Sequence, residues 1–465
     1  MSIRFNLYDI AYWLAVGGSS PYWLIKPSAR RKVLRGLRER MGHVAPRTDS
    51  HRTDSQGPAI LIHAVSLGEM NATRALVEML RARRDDLHII VSTTTDTGFE
   101  QGRKLYGDNP HVSLIRYPLD FSPAVHRTLD SLRPSVVVLM ELELWPNFVR
   151  ACRQRGIAVI LANGRLTGES YSRYRWVKPI VAAMLRRVDR LCVQDDLYAQ
   201  RFMSLGARPK QISVIGTMKF DTATVADSVD GDAALARDVG LRGGDEPSGD
   251  EPIWVCGSTG PGEEAIVLRI YRSLRQNIPA LRLVIVPRKP ERFDEVANLI
   301  RANNFRLVRR SNPPATPGEN APTNLPENTR EITAENAVIL GDSMGELRKF
   351  YSLASVVFVG RSLVDLGARQ HGSDMIEPAA LGKAVLVGPF TGNFAEAVRL
   401  LKAAQAIVEV PDEAALAATV SALAKNPTEA QALGTRARDA VLRQQGATAR
   451  HVEIILAALA HRATT

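Results

Sequence analysis

From residue 58 onwards, short apolar runs alternate with amphipathic stretches. The stretch 69–84 places Leu76, Val77 and Leu80 on one face and predicts a helix. Some apolar runs, such as 135–140, are continuous, which is typical of strands buried in a parallel sheet. In the first half of the chain the predicted strands are 59–65, 87–95, 112–120, 135–140, 157–163 and 190–195. Strands alternating with helices predict a parallel α/β sheet with right-handed crossovers.

The pattern stops at residues 221–252, which are rich in Asp, Gly, Ser and Ala, and then begins again. The second series of predicted strands is 252–258, 281–287, 337–342, 355–360 and 384–389, interrupted by a Pro/Asn-rich loop at 311–330. A chain of 465 residues is long enough for two large domains.

We therefore predict two Rossmann-like α/β domains. Because ligands of such sheets bind outside the carboxyl ends of the strands, we expect the domains to face each other across a cleft. One domain would hold a donor and the other an acceptor. The predicted boundaries are 1–42 for an N-terminal segment, 43–217 for the first domain, 218–251 for a linker, 252–440 for the second domain and 441–465 for a C-terminal helix.

Charge and aromatic residues change the interpretation of the N-terminus. Residues 7–25 are apolar and aromatic but contain Asp9, Gly17, Gly18 and Pro21, so a full membrane span is not expected. Residues 1–50 carry nine Lys/Arg and three acids, within a net charge of +11. Aromatic residues beside a basic stretch favour a helical anchor, 1–42, lying at an anionic membrane surface. The alternative is an amphipathic helix packed on its own domain.

Acidic side chains follow two of the predicted strands in the first half. Glu69 comes after Gly68, which permits a tight turn from strand to helix, and a carboxylate there can act as a general base. The alternative is an acid that complements the helix dipole. Glu141 and Glu143 follow the run 135–140 and need either a partner or a chemical role. One of them could face the cleft while the other pairs locally. The alternative is that both are solvated at the sheet edge.

Cationic and hydroxyl side chains follow strands in the second half. Ser258 and Thr259 lie in a glycine-rich turn before a helix and could cradle a phosphate, although this motif is weak alone. Arg288 could contact a phosphate or base, and Glu377 could accept ribose hydroxyls. Lys219, beside the linker, could neutralise a departing phosphate. For each of these the structural alternative is a turn, a cap or a solvated side chain.

The absence of certain motifs argues against other enzyme classes. The sequence has no HExxH and no GxSxG, which argues against a zinc protease or a serine hydrolase. The Asp-x-Asp sequence at 230–232 falls in the predicted linker, so a metal-dependent nucleotide-sugar site is not indicated. We expect neither a metal nor another cofactor.

Several motifs in this order resemble one family, the Kdo (3-deoxy-D-manno-octulosonic acid) transferases. These are HAVSLGE (63–69), MELELWPN (140–147), GTMKFD (216–221), GSTGPGEE (257–264), VPRKPERF (286–293), GDSMGELRKFY (341–351), the turn at 360–364, EPAALGK (377–383) and GPFTGNF (388–394). The chain differs at 366–377, which is longer than the family's Gly-Gly-His-Asn stretch and has Asp374 where the family has Asn.

The resemblance implies a GT-B fold at the cytoplasmic face of the inner membrane of Gram-negative bacteria. It implies transfer of Kdo from CMP-Kdo to a lipid A precursor (lipid IVA) in lipopolysaccharide core synthesis. Glu69 would be the base, and Glu141 and Lys219 would support the transition state. The residues implied at the CMP site are Pro287, Arg288, Met344, Gly345, Glu346, Asp374 and Glu377, to which the turn at Ser258 and Thr259 is added.

The expected reaction is a direct displacement that inverts the anomeric carbon. As the acceptor hydroxyl attacks, Glu69 takes its proton, and CMP leaves with its phosphate stabilised by Lys219, Arg288 and the turn at 258–259. One alternative is a GT-B transferase that uses another nucleotide sugar at the membrane. A second alternative is a non-enzymatic protein that binds anionic membranes or nucleic acid, but no nucleic-acid-binding motif is present.

Overall fold

The computed structural model describes residues 6–25, 36–46, 57–241, 251–312, 337–367 and 370–463. The chain divides into two compact units. The first is Met1–Thr222 together with Gln444–Thr465, and the second is Ala223–Arg443. Each unit contains a seven-stranded parallel sheet, so the parallel α/β architecture predicted for both halves is confirmed.

In the first unit the strands are β1 (Ala59–His63), β2 (His88–Thr93), β3 (Val112–Arg116), β4 (Val136–Met140), β5 (Ala158–Gly164), β6 (Arg190–Val193) and β7 (Ile212–Val214). The helices are α1 (Leu7–Ile25), α2 (Leu37–Arg40), α3 (Leu67–Arg83), α4 (Asp96–Tyr106), α5 (Ser122–Leu132), α6 (Pro146–Gln154), α7 (Gly168–Trp176), α8 (Lys178–Leu185), α9 (Asp196–Ser204) and, at the end of the chain, α18 (Ala447–Ala463).

In the second unit the strands are β8 (Ile253–Thr259), β9 (Arg282–Pro287), β10 (Arg306–Arg309), β11 (Ala337–Leu340), β12 (Val356–Val359), β13 (Ala384–Val387) and β14 (Val408–Glu409). The helices are α10 (Asp232–Asp238), α11 (Glu263–Arg275), α12 (Phe293–Ala302), α13 (Leu347–Leu353), α14 (Ile376–Ala380), α15 (Ala395–Ala403), α16 (Glu413–Lys425) and α17 (Pro427–Gln444).

The strand order reverses in the middle of each sheet. The first sheet runs β3-β2-β1-β4-β5-β6-β7 and the second β10-β11-β9-β8-β12-β13-β14. Strands β1 and β4 are therefore neighbours, as are β8 and β12, and their crossovers depart in opposite directions. Such a reversal leaves a crevice at the carboxyl ends of the two strands, where ligands of doubly wound sheets bind. The loops after β1, β4, β8 and β12 are thus the places to look for a site.

The segment predicted as a linker, 218–251, contains ordered structure. Helix α10 buries Leu235 and Ala236, and the Ser352 hydroxyl donates to the Asp232 carboxylate at 2.6 Å. A short 3-10 helix, Met218–Thr222, ends the first unit. Residues 242–250, and 313–330 of the predicted Pro/Asn-rich loop, lie outside the described residues.

Helix α18 packs against the first sheet and binds the loop that ends the first unit. The Asp221 carboxylate accepts from the backbone N–H groups of Gly446 and Thr448 at the start of this helix. His451 is buried and accepts from the Asn163 N–H at 2.8 Å through Nε2, while its Nδ1 donates to the Ala447 carbonyl at 2.7 Å. These two bonds require a neutral imidazole.

Helix α1 continues without a break from Leu7 to Ile25. Gly17, Gly18 and Pro21, which interrupt the apolar sequence, all lie within the helix. Asp9 is fully buried and accepts from the N–H and hydroxyl of Ser122, both at 2.8 Å. One face of α1 is therefore attached to its own unit, as the alternative interpretation of this segment holds.

Another side of α1, which carries Ile10 and Leu14, is apolar and exposed, and Trp13 is exposed at its edge although its ring packs against Phe121. The exposed fractions of Ile10, Trp13 and Leu14 are 55%, 59% and 71%. Among the residues that the structure describes, we find no helix with the length and apolarity that crossing a membrane requires. Most of the predicted basic stretch, including Lys26 and residues 30–35, lies outside the described residues.

Acid should destabilise the first unit through its buried histidines. Burial lowers the pKa of His451 to about 4 and that of His63 to about 3, from an ordinary value of 6.5. Because the unfolded chain binds these protons first, stability present above pH 6.5 is lost as the pH falls towards 4 and below. For His451 the loss amounts to about 3 kcal/mol at most. Urea unfolding between pH 7 and pH 4 measures this effect.

A His451→Gln variant should show a weaker dependence of stability on pH in this range. The exposed His111→Gln variant is the matched control and should keep the wild-type dependence. A pH profile of His451→Gln that coincides with wild type would show that His451 is not a source of the acid sensitivity.

Candidate active site

The loop after β1 holds Glu69 by its backbone. Ser66 is the N-cap of α3, and its hydroxyl accepts from the Glu69 N–H at 3.2 Å. The Glu69 carboxylate accepts from the N–H groups of Val65 at 2.9 Å and Ser66 at 3.3 Å, which completes a capping box. Glu69 therefore has the structural role that its sequence position allowed, and its half-buried carboxylate is fixed at the carboxyl end of β1.

The loop after β4 begins with a strained residue. Glu141 has a φ of 55°, a left-handed conformation that is unusual for a residue other than glycine. Its N–H donates to the Ala162 carbonyl at 2.9 Å. Glu143 pairs locally, because its carboxylate accepts from the Trp145 indole N–H at 3.1 Å. Of the two acids, Glu141 is thus the one whose carboxylate has no local hydrogen-bond donor among the bonds described for this loop.

Charges that follow four different strands lie near one another at this edge of the first sheet. Burial raises the pKa of Glu141, and repulsion from Glu69 raises it further, while Arg165 and Lys219 act in the opposite direction. The structure therefore brings together Glu69, Glu141 and Lys219, the three residues that the sequence indicates for catalysis. Arg165, which follows β5, is an additional cation that the sequence analysis did not identify.

Lys219 is positioned through the C-terminal helix. It lies in the short helix Met218–Thr222, whose Met218 N–H donates to the Asn163 side-chain carbonyl at 3.2 Å. Asn163 is the residue whose own N–H is bound by His451. The last helix of the chain thus supports, through two hydrogen bonds, the backbone beside Lys219.

The ELWPN sequence has a structural role that the sequence analysis missed. Asp120 accepts from the N–H groups of Asn147 at 3.1 Å and Phe148 at 2.8 Å, and so caps the start of α6. The Asn147 amide donates to Asp9 at 3.1 Å. Burial raises the pKa of Asp120 to about 6. Pro146 at the first position of a helix was the sequence feature that could have located this helix start.

In the second unit, a buried carboxylate joins the two loops at the strand reversal. Glu263 accepts from the N–H of Gly260 at 2.8 Å, in the loop after β8. It also accepts from Arg361 at 2.6 Å and from Ser362 and Leu363 at 2.9 Å, in the loop after β12. The sequence analysis assigned no role to Glu263, which it named only within the motif 257–264.

Ser258 and Thr259 lie at the end of β8 and are buried. Ser258 has a φ of 56°. The Thr259 hydroxyl is enclosed and, in the part of the chain that the structure describes, makes no hydrogen bond. The Gly260 N–H in the predicted phosphate cradle already binds Glu263. The backbone of this turn is thus held within its own unit by Glu263, and its Gly260 N–H is not available to a phosphate.

The strand next to β8 brings Pro287 and Arg288 to the same edge. Strand β9 ends at Pro287, and the Arg288 N–H donates to the Thr259 carbonyl at 3.1 Å. The Arg288 side chain is exposed.

The predicted CMP residues after β11 form a turn before α13. Met344 is 70% exposed, and Gly345 has a φ of 86°, which a side chain would oppose. The Glu346 carboxylate accepts from Arg310 at 2.9 Å and from the Ser343 hydroxyl at 2.5 Å, which lowers its pKa to about 2. Glu346 is therefore a charged residue that is already paired within its own unit.

Asp374 and Glu377 lie at the start of α14. Asp374 accepts from the Ile376 N–H at 2.8 Å. Burial, followed by repulsion from Asp374, raises the pKa of Glu377. The neighbouring Tyr351 hydroxyl is buried and makes no hydrogen bond within the described residues. These carboxylates and this hydroxyl are groups that suit ribose hydroxyls.

Comparisons with known proteins identify a family and several sequence relatives of this chain. A family model described as 3-deoxy-D-manno-octulosonic-acid transferase matches residues 35–222. A 3-deoxy-D-manno-octulosonic acid transferase of Haemophilus influenzae is 34% identical over 400 residues, which cover 85% of this chain and 86% of that protein. One of Bordetella pertussis is 31% identical over 415 residues, covering 87% of this chain and 89% of that protein.

A solved structure shares the fold. The UDP-GlcNAc 2-epimerase of Neisseria meningitidis, bound to UDP-GlcNAc, superposes with a TM-score of 0.55 at 13% identity, covering 86% of this chain and 99% of that one. Two parallel α/β units, together with the sequence relatives, identify the chain as a glycosyltransferase. It belongs to the 3-deoxy-D-manno-octulosonic acid (Kdo) transferase family.

Loss of the Glu263 charge should loosen both loops of the second unit. In Glu263→Gln an amide NH₂ faces backbone N–H donors, so at least one donor is left unpaired at a cost of about 1–3 kcal/mol. We expect a lower free energy of unfolding in urea and weaker CMP binding by calorimetry. Glu291→Gln, at an exposed position, is the control and should change neither. Wild-type stability in Glu263→Gln would contradict the role assigned to this carboxylate.

Proposed function

We propose that the enzyme transfers Kdo from CMP-Kdo to a lipid A precursor, lipid IVA, in lipopolysaccharide core synthesis, with inversion at the anomeric carbon. The observation that carries the proposal is the meeting of Glu69, Glu141 and Lys219 at the strand reversal of the first sheet. The sequence relatives, which are named for transfer of this sugar, support the choice of substrate class.

Glu69 is the proposed general base. The N–H groups of Val65 and Ser66 bind its carboxylate and fix its direction, yet a carboxylate has about four acceptor sites, so capacity remains for an acceptor hydroxyl. The hydroxyl oxygen forms a bond to the anomeric carbon as the bond to the CMP phosphate breaks. The hydroxyl proton passes to Glu69, and the electron pair leaves with CMP.

Glu141 and Lys219 are the proposed supporting groups. Two carboxylates in one partly buried place repel each other, and the cations of Lys219 and Arg165 offset that repulsion. Fixed charges of this kind stabilise a transition state in which charge moves from nucleophile to leaving group.

The second unit is the proposed site of the nucleotide. Arg288 would bind the phosphate, and Asp374 and Glu377 would accept the ribose hydroxyls, beside the turn of Met344, Gly345 and Glu346. The proposal assigns neutralisation of the phosphate to side chains and includes no metal or other cofactor.

Substitution of Glu69 separates its two roles. Glu69→Gln keeps an oxygen acceptor for the capping box but cannot take a proton, so we expect turnover to fall by about 10²–10⁴-fold with little loss of stability. Glu69→Ala should lose turnover to the same extent and lose about 1 kcal/mol of stability as well. CMP release from CMP-Kdo in the presence of a tetra-acylated lipid A precursor measures turnover.

CMP binding, measured by calorimetry, should be unchanged in both Glu69 variants. Glu78→Gln, an exposed acid on the same helix, is the control for turnover. Wild-type turnover in Glu69→Gln would show that Glu69 is not the base. If the wild-type enzyme releases no CMP with this donor and acceptor, the proposed reaction is wrong.

Peripheral attachment to the cytoplasmic face of the inner membrane is also proposed. Ile10 and Leu14, one turn apart on α1, are exposed on a side of the helix that points away from the buried Asp9. Trp176, at the end of α7, is 89% exposed, and Ile180 of α8 is 46% exposed beside the basic residues Arg175 and Lys178. Apolar side chains next to cations suit the headgroup region of an anionic membrane, where the acceptor resides.

The double variant Ile10→Ser/Leu14→Ser should bind membranes less well. Removing two inserted apolar side chains is expected to lower partitioning by about tenfold or more. Flotation with vesicles that contain anionic lipid measures the bound fraction. Leu197→Ser, at an apolar residue of the same unit that is 48% exposed, is the matched control. Equal flotation of wild type, double variant and control would contradict the assignment of α1 to the membrane.

A further inference from the structure

Arg361 is a strained residue at the strand reversal of the second sheet. Gly360 separates it from the end of β12, and its φ is 59°. A left-handed backbone is unfavourable for a residue with a side chain, and such residues persist where the surroundings impose them. The conformation of Arg361 therefore needs an explanation.

Hydrogen bonds hold the Arg361 backbone on both sides. Its N–H donates to the buried Glu263 carboxylate at 2.6 Å, and its carbonyl accepts from the Gly372 N–H at 2.6 Å. The same carboxylate binds the Gly260 N–H in the loop after β8. The strained loop is thus tied to the loop that follows the neighbouring strand.

This backbone places the Arg361 side chain over Gly260. A Cβ built on Gly260 would lie 3.0 Å from Arg361 Cγ, so the arginine stem crosses the glycine where a side chain would crowd it. Gly360 is equally confined, because a Cβ there would lie 2.5 Å from Thr259 Cα. Arg361 therefore reaches across the turn that begins with Thr259.

The Arg361 guanidinium lacks a carboxylate partner among the ion pairs of the described residues. Burial lowers the pKa of Arg361, and the nearby positive charge of Arg288 lowers it further, while the Glu263 carboxylate, which binds the Arg361 backbone, acts in the opposite direction. The buried hydroxyl of Thr259, whose carbonyl binds the Arg288 N–H, also has no hydrogen-bond partner in the part of the chain that the structure describes. Two guanidinium groups that repel each other, next to an unpaired hydroxyl, favour a ligand with two anionic groups.

We propose that Arg361 binds the carboxylate of the donor sugar, while Arg288 binds the phosphate. The class of substrate is a nucleotide-activated 2-keto sugar acid, in which the carboxylate and the phosphate are attached to the same carbon. A donor whose sugar has no carboxylate would leave Arg361 unpaired beside Arg288. Arg361 is thus a specificity-determining residue, and this assignment rests on the proposed use of CMP-Kdo.

Three substitutions test the assignment. Arg361→Gly removes the guanidinium and suits a positive φ, so it should fold with a melting temperature no lower than that of wild type. Arg361→Lys keeps a charge but loses the bidentate geometry. Lys289→Gln removes a cation from an exposed position in the neighbouring loop and is the matched control.

The measurements are KM for CMP-Kdo, from initial rates of CMP release, and the inhibition constant of CMP, which has the phosphate but no sugar carboxylate. In Arg361→Gly we expect KM to rise by about 10–100-fold, because a charge-assisted bond is lost. The inhibition constant of CMP should change by less than about threefold, since the proposed bond between Arg288 and the phosphate is unaltered. Arg361→Lys should lie between wild type and Arg361→Gly, and Lys289→Gln should match wild type.

An equal loss for CMP and CMP-Kdo in Arg361→Gly would overturn the assignment, because it would place Arg361 on the nucleotide. Unchanged constants for both ligands would overturn it as well. These outcomes are distinct from failure of the proposed function, in which wild-type enzyme would release no CMP from CMP-Kdo.

Discussion

Backbone N–H groups at the carboxyl ends of parallel strands must find acceptors, and in this protein side-chain carboxylates provide them. Glu69 binds the amides of the loop after β1, Asp120 those at the start of α6, and Glu263 those of two loops in the second unit. Without Asp120 and Glu263 the loops would have buried donors with no partner, which is costly. The same groups that satisfy the backbone also fix where the remaining polar side chains of each loop point.

Strained residues accompany these carboxylates in both units. Glu141, Ser258 and Arg361 have positive φ angles although none of them is glycine, and each lies at the end of one of the strands that flank a reversal. Strain of this kind needs a surrounding structure that imposes it. In both units the imposed conformation determines which charged or hydroxyl group is presented beyond the sheet edge.

Much of the fold was predictable because the central strands are buried and apolar. The runs that become β1, β4, β8 and β12 are fully buried, so their hydrophobicity identified them. The short edge strands β7, β10 and β14 were missed, since they include polar or exposed residues. Strand β3 ends at Arg116, short of the predicted 120, because Pro118 has no N–H to continue the ladder.

The candidate site was predictable where a residue type stands next to a strand end. Glu69 and Glu141 were indicated in this way, and Lys219 by its position beside the predicted linker, and the three charges lie near one another in the structure. Glu263 and Arg361 were not identified, because their importance depends on hydrogen bonds between loops that are about 100 residues apart in sequence. The roles of Asp9 and Asn147 were missed for the same reason, since their bond joins the first helix to α6.

Helix α18 gives the two units a different order of completion during translation. The second unit, Ala223–Arg443, is one uninterrupted stretch of chain, whereas the first unit needs Gln444–Thr465 to supply its last helix and the imidazole beside Asn163. A ribosome that has finished the second unit has therefore not yet delivered the part that completes the first. The loop bearing Lys219 gains the support of His451 only after α18 has been made, so the first of these two units is completed after the second.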